Sequence, residues 1–96
     1  MTSTTRESRL VLLTEHFYYA ITLTLLAQLY RKQARYVEAH SYFIDARSII
    51  EKQFGLTHLF MVPILSGQAT LAKQQHCYQD AKSLYENALV ILKHAL

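Results

Sequence analysis

With 96 residues the chain holds one domain at most. Half of it is hydrophobic (51%) and it has only two glycines and one proline, which excludes a disordered or loop-rich chain. A net charge of +3 is too mild to imply a nucleic-acid partner, which requires basic residues gathered on one face or helix.

The N-terminal stretch up to Arg9 has no long apolar core, and Leu10 to Leu13 is too short for a signal or membrane segment. Cys77 is the only cysteine, so no intrachain disulfide framework exists and a reducing compartment is the simpler setting. The expectation is a soluble, cytoplasmic protein without a membrane partner. Leu23, Leu26, Ala27 and Tyr30 follow i, i+3, i+4, i+7 spacing, one face of a first helix. The polar segment Arg31 to Arg35 predicts a tight turn near residues 33 to 36. A second stripe follows through Tyr36, Ala39, Phe43, Ala46, Ile49 and Ile50, and it ends at Phe54-Gly55. Glycine is favoured just past a helix C-terminus because it adopts the left-handed conformation cheaply.

Thr57 or His58 is expected to start a third helix, running from about 60 to 75. Pro63 removes one of its backbone bonds, and Gly67 weakens it by about 1 kcal/mol relative to Ala. A turn near His76-Cys77 leads to a last helix from about 78 to 95.

The two halves match when one is slid 42 positions along the other. Leu23, Ala27 and Leu29 return as Leu65, Ala69 and Leu71, and Gln33, Tyr36, Ala39, Ala46 and Ile49 as Gln75, Tyr78, Ala81, Ala88 and Ile91. A fixed period of this size marks a solenoid whose units stack on their neighbours. Small residues recur where paired helices should touch: Ala27, Ala39, Ala46, Ala69, Ala81 and Ala88. The expected fold is all-α, a short right-handed solenoid of antiparallel helix pairs. It divides into a partial unit at 6–16, a first repeat at 17–58 and a second at 59–96.

The order Leu23, Leu26-Ala27, Tyr30, Tyr36, Ala39, Phe43, Ala46 resembles the tetratricopeptide repeat, a helix–turn–helix unit. The long period, Tyr36-Val37-Glu38-Ala39, Tyr78-Gln79-Asp80-Ala81 and the linker Gly55-Leu56-Thr57-His58 resemble its kinesin-light-chain type. The chain departs from that pattern at Leu59, where the family has Pro, at Gln68 for an apolar residue, and at Ala72 for an aromatic one. The family's groove asparagines, which hold a bound peptide's backbone, are replaced by Thr24-Leu25 and Ser66-Gly67.

The resemblance implies a concave groove lined by Ile21, Thr24, Leu25, Gln28, Arg31 and Lys32, then by Ser66, Thr70, Lys73 and Gln74. Arg31, Lys32 and Lys73 would form a basic strip for an acidic peptide, or simply complement the helix dipoles in water. Tyr18, Tyr19, Phe60 and Met61 form an exposed apolar patch or pack against the neighbouring helix. The last helix ends on near-continuous hydrophobics, with Leu89, Ile91, Leu92 and Leu96 as interface candidates. Solenoids normally end on a polar outer face, so a homo-oligomer, a larger complex or a longer array is expected to cover this end.

No cofactor or metal is implied. His16, His40, His58, His76 and His94 never share a helical face at i, i+4 spacing, and His16 and His58 are expected to cap helix starts. There is no phosphate loop, no Gly-x-Ser-x-Gly elbow and no His-Glu-x-x-His, and His76-Cys77 lacks an orienting third group. The expected function is therefore non-catalytic: an adaptor or scaffold that binds a peptide or helix. The alternative is a structural or regulatory subunit that self-associates or caps an assembly.

Overall fold

The computed structural model describes residues 2–96, with side chains from residue 6 onward. The first five side chains, part of the stretch read as free of a signal core, lie outside the described residues. Four helices and no strand occur among the described residues: α1 (Thr2–Lys32), α2 (Tyr36–Phe54), α3 (Met61–Gln74) and α4 (Tyr78–Ala95). α1 packs on α2 and α3 on α4, while α2 against α3 joins the two pairs and α1 also touches α3. The result is an elongated slab of 54 × 29 × 16 Å.

All six alanines of the repeat pattern are buried, at 0% to 4% exposure. Their missing side-chain bulk brings the helix axes together, and Phe43, Ile50, Met61 and Ile64 fill the space beside them. Among the described residues no polar or charged residue is buried.

The two turns within the pairs are built alike, bond for bond. Arg35 N–H donates to Tyr30 O at 2.9 Å and Ala34 N–H to Arg31 O at 3.0 Å. Forty-two residues on, Cys77 N–H donates to Ala72 O at 2.8 Å and His76 N–H to Lys73 O at 3.0 Å. Each pair of bonds satisfies carbonyls left open at the end of a helix. Both turns hold a non-glycine residue in the left-handed region, Ala34 at φ 61° and His76 at φ 65°. The absence of Gly therefore did not hide the turns, but it leaves strain in them. Gly55, at φ 97°, closes α2 by donating to Ile50 O and Glu51 O, as its position predicts.

Three expectations change. α1 is continuous through residues 16 and 17, where a partial unit was expected to end. His16 therefore lies in mid-helix and caps nothing; its Nδ1 is buried without a hydrogen-bond partner. α1 is also long and apolar enough from Arg6 to Lys32 to cross a membrane, by length and composition alone. The short run at Leu10 to Leu13 gave no sign of this, because its apolar character continues beyond the polar Glu15 and His16. Finally, α3 spans Met61–Gln74, in line with the expected 60 to 75, but neither Thr57 nor His58 starts it. Pro63 sits in its first turn, where a missing N–H removes no helical bond.

Candidate functional site

Between α1 and α3, the first helices of the two pairs, lies an apolar cleft of about 380 Å³. Phe17, Ile21, Thr24 and Leu25 of α1 form one wall, and Leu59, Phe60, Pro63 and Ile64 the other; Ala20 and Ile50 close the floor. Local packing fixes the walls. Phe60 lies 4.2 Å from Phe17 and 5.1 Å from Phe54, ring centre to ring centre. His58 joins this cluster at 4.4 Å from Phe60, and its Nδ1 accepts the Phe60 N–H at 3.1 Å. Thr24 turns its hydroxyl back to Ala20 O at 2.8 Å, which leaves its methyl for the cleft.

The expected groove residues thus separate into several environments. Ile21, Thr24 and Leu25 line the cleft. Gln28, Arg31 and Gln74 form a polar bridge beyond it: Arg31 Nε donates to Gln28 Oε1 at 2.8 Å, and Arg31 Nη1 to Gln74 Oε1 at 3.1 Å. Arg31 therefore ties the two pairs together. Lys32 is exposed, and Lys73 lines a different hollow with Tyr78, Lys82 and Glu86. Thr70 donates to Ser66 O at 3.0 Å and meets the Tyr85 hydroxyl at 3.1 Å.

Two apolar interface candidates are corrected. Met61 is 1% exposed, because it shares the inward stripe of α3 with Ile64, Leu65 and Leu71. Ile91 is 6% exposed, on the same inward face of α4 as Ala81 and Ala88. Phe60 is half-buried in the aromatic cluster. Tyr18 and Tyr19 are exposed, the first of the two alternatives, and Leu89, Leu92 and Leu96 are exposed, as is Val90.

The departures from the family pattern also acquire reasons. Gln68 Oε1 accepts from Arg47 Nη1 of α2 at 3.3 Å, a polar link where an apolar contact was expected. Gly67 faces Phe43 across the α2–α3 junction, and a Cβ there would stand 2.6 Å from Phe43 Cζ. A side chain at this place would have to displace the Phe43 ring, so glycine suits the close stacking of the two pairs.

A tetratricopeptide-repeat family model matches residues 18–94, from the middle of α1 to the end of α4. The chain belongs to the tetratricopeptide-repeat family. The kinesin-light-chain cadence of its units is compatible with that match. Among curated proteins and solved structures nothing matches the chain. Membership places it among protein-interaction modules, and nothing points to enzymatic activity. Among the described residues no three His, Cys, Asp or Glu side chains come together as a metal would need.

The cleft walls Phe17, Leu59 and Pro63 and the Arg31 bridge were not read from the sequence as site residues. Phe17 and Leu59 are 42 positions apart, so the repeat itself marked them as equivalent. The Arg31 bridge carries no comparable signal, since it depends on how far the two pairs are rotated.

Proposed function

We propose that this chain is a non-catalytic adaptor that takes a bulky apolar side chain of a partner peptide or helix into the α1–α3 cleft. The cleft carries the reading: its volume lies within the range of about 300–1,000 Å³ typical of ligand sites, and its walls are almost wholly apolar. Leu25, 64% exposed on one wall, and Leu59, 47% exposed on the other, lose water when such a group enters.

A cytoplasmic setting belongs to this proposal. The stripe Ala20, Leu23 and Ala27 of α1 is already used as core by α2, and the family match includes that half of the helix. Both observations favour α1 as a solenoid helix over a membrane span.

The test is selection from a displayed peptide library, followed by calorimetry on the winners. Selected peptides are expected to share a bulky apolar residue and to lose at least about tenfold in affinity against Leu25→Asp. Leu25 is exposed, so that variant should fold, and equal binding by it overturns the cleft reading. Preference for acidic peptides is a separate part of the proposal. It predicts weaker binding at high salt and loss with Arg31→Glu plus Lys73→Glu; insensitivity to both removes it.

A structural subunit that self-associates through α4 is the second reading, favoured by its exposed Leu89, Val90 and Leu92. A stable dimer in light scattering, dissolved by Leu89→Glu, supports it over the adaptor.

A further inference from the structure

The turn end of the first pair is filled by its own aromatic side chains. Tyr30 stacks on Tyr42 with ring centres 5.5 Å apart and an interplanar angle of 6°, and the Arg35 guanidinium lies 4.6 Å from the Tyr30 ring centre. Both rings pack against the core. Forty-two residues on, these three places hold Ala72, Leu84 and Cys77, and all three line one hollow of about 350 Å³. The backbone beside it follows the same plan, since the turn bonds of the two pairs match one for one. The second pair thus keeps the seat that the first fills with two tyrosine rings, and lacks the rings.

Leu71, Ala72 and Leu84 give the hollow an apolar floor between α3 and α4, and His40 of α2 closes another side. Gln75, Asp80 and Ser83 place exposed polar groups at its edge. The α4 residues that enter it are not those turned the other way: Lys82, Tyr85, Glu86 and Leu89 line a separate hollow with Lys73. The seat is therefore built by α2, α3 and α4 alone, whatever stands beyond α4.

We propose that this hollow receives a tyrosine side chain of a partner polypeptide. The ring follows from the first pair, where the equivalent seat holds Tyr30 against Tyr42. The apolar floor takes the ring faces, which lose water and gain contact there. The hydroxyl sets tyrosine apart from phenylalanine, because the Asp80 carboxylate at the edge can accept its O–H in a charge-assisted bond. A polypeptide is the source because the family acts through protein partners, and the chain flanking the tyrosine meets Gln75 and Ser83 at the rim. The hollow shares no residue with the α1–α3 cleft, so either proposal can fail alone.

The probe is N-acetyl-tyrosinamide, titrated into the full isotope-labelled chain and followed by amide shifts in NMR. The amides of Ala72, Cys77 and Leu84 are expected to move together, with a dissociation constant of about 1–10 mM for so small a ligand. N-acetyl-leucinamide should bind at least about fivefold more weakly. Ala72→Tyr with Leu84→Tyr fills the seat from within and should weaken binding at least about tenfold, while circular dichroism shows the chain folded. Asp80 is exposed, so Asp80→Asn should keep the fold; it should lower affinity for the tyrosine amide about threefold and leave N-acetyl-phenylalaninamide unaffected. No shift at these amides up to the ligand's solubility, equal binding by the leucine amide, or undiminished binding to the filled chain overturns the proposal. Undiminished tyrosine binding by the Asp80→Asn chain contradicts the choice of tyrosine. Tighter binding of p-cresol than of the amide assigns the hollow to a free phenol, and loss of binding with Leu25→Asp moves the ring to the α1–α3 cleft; either contradicts the inference.

Discussion

Phe43 and Tyr85 occupy the same place in their helix pairs, yet one ring is fully buried and the other is 43% exposed. The alanine contacts beneath them are shared, and so are the turn bonds. The difference lies in what stands next: α3 covers α2, and nothing in the structure covers α4. A second contrast lies at the turns. In the first pair Tyr30 stacks on Tyr42 at 5.5 Å with the rings nearly parallel, and the Arg35 guanidinium sits 4.6 Å from the Tyr30 ring centre. In the second pair these three places are Ala72, Leu84 and Cys77, and a hollow of about 350 Å³ opens there. Two units with one backbone plan thus differ in how completely their positions are filled.

Apart from removing the Phe43 ring itself, the largest break in this comparison should come from Gly67→Leu. It forces side-chain volume into the Phe43 ring, and urea unfolding should show a loss of about 3 kcal/mol. Tyr30→Ala removes a half-buried ring with its stacking and cation partners, at a cost of about 2 kcal/mol. Its counterpart test runs the other way: Ala72→Tyr with Leu84→Tyr should fill the hollow and raise stability by about 1 kcal/mol in the same assay. The smallest effect belongs to the turns. Ala34→Gly and His76→Gly relieve left-handed strain, and each should add about 0.5 kcal/mol after the flexibility of the unfolded chain is counted.

The periodicity made the helix pairs legible, because small residues at helical spacing and a 42-residue repeat can be counted along the chain. Met61 and Ile91 were harder. Each lies in a run of consecutive hydrophobics, Leu59 to Leu65 and Ala88 to Leu92, where composition conceals which residues share the inward stripe. Counting i, i+3, i+4 from Met61 to Ile64 and Leu65 would have placed it in the core. The continuity of α1 was hidden by analogy: His16 lies 42 before the linker residue His58, but no Gly precedes it to end a helix. Arg31 was legible as a cation and not as a bridge, since its two glutamine partners come from separate helices.

The most direct measurement is the pair of unfolding free energies for Phe43→Ala and Tyr85→Ala, taken under identical conditions. A ring sealed between two helix pairs should cost about 3–5 kcal/mol to remove, and one on an open face about 1 kcal/mol. A gap of at least about 2 kcal/mol is the expected result. Equal losses would mean that α4 is already covered in solution or that α3 does not seal α2, and either contradicts the account.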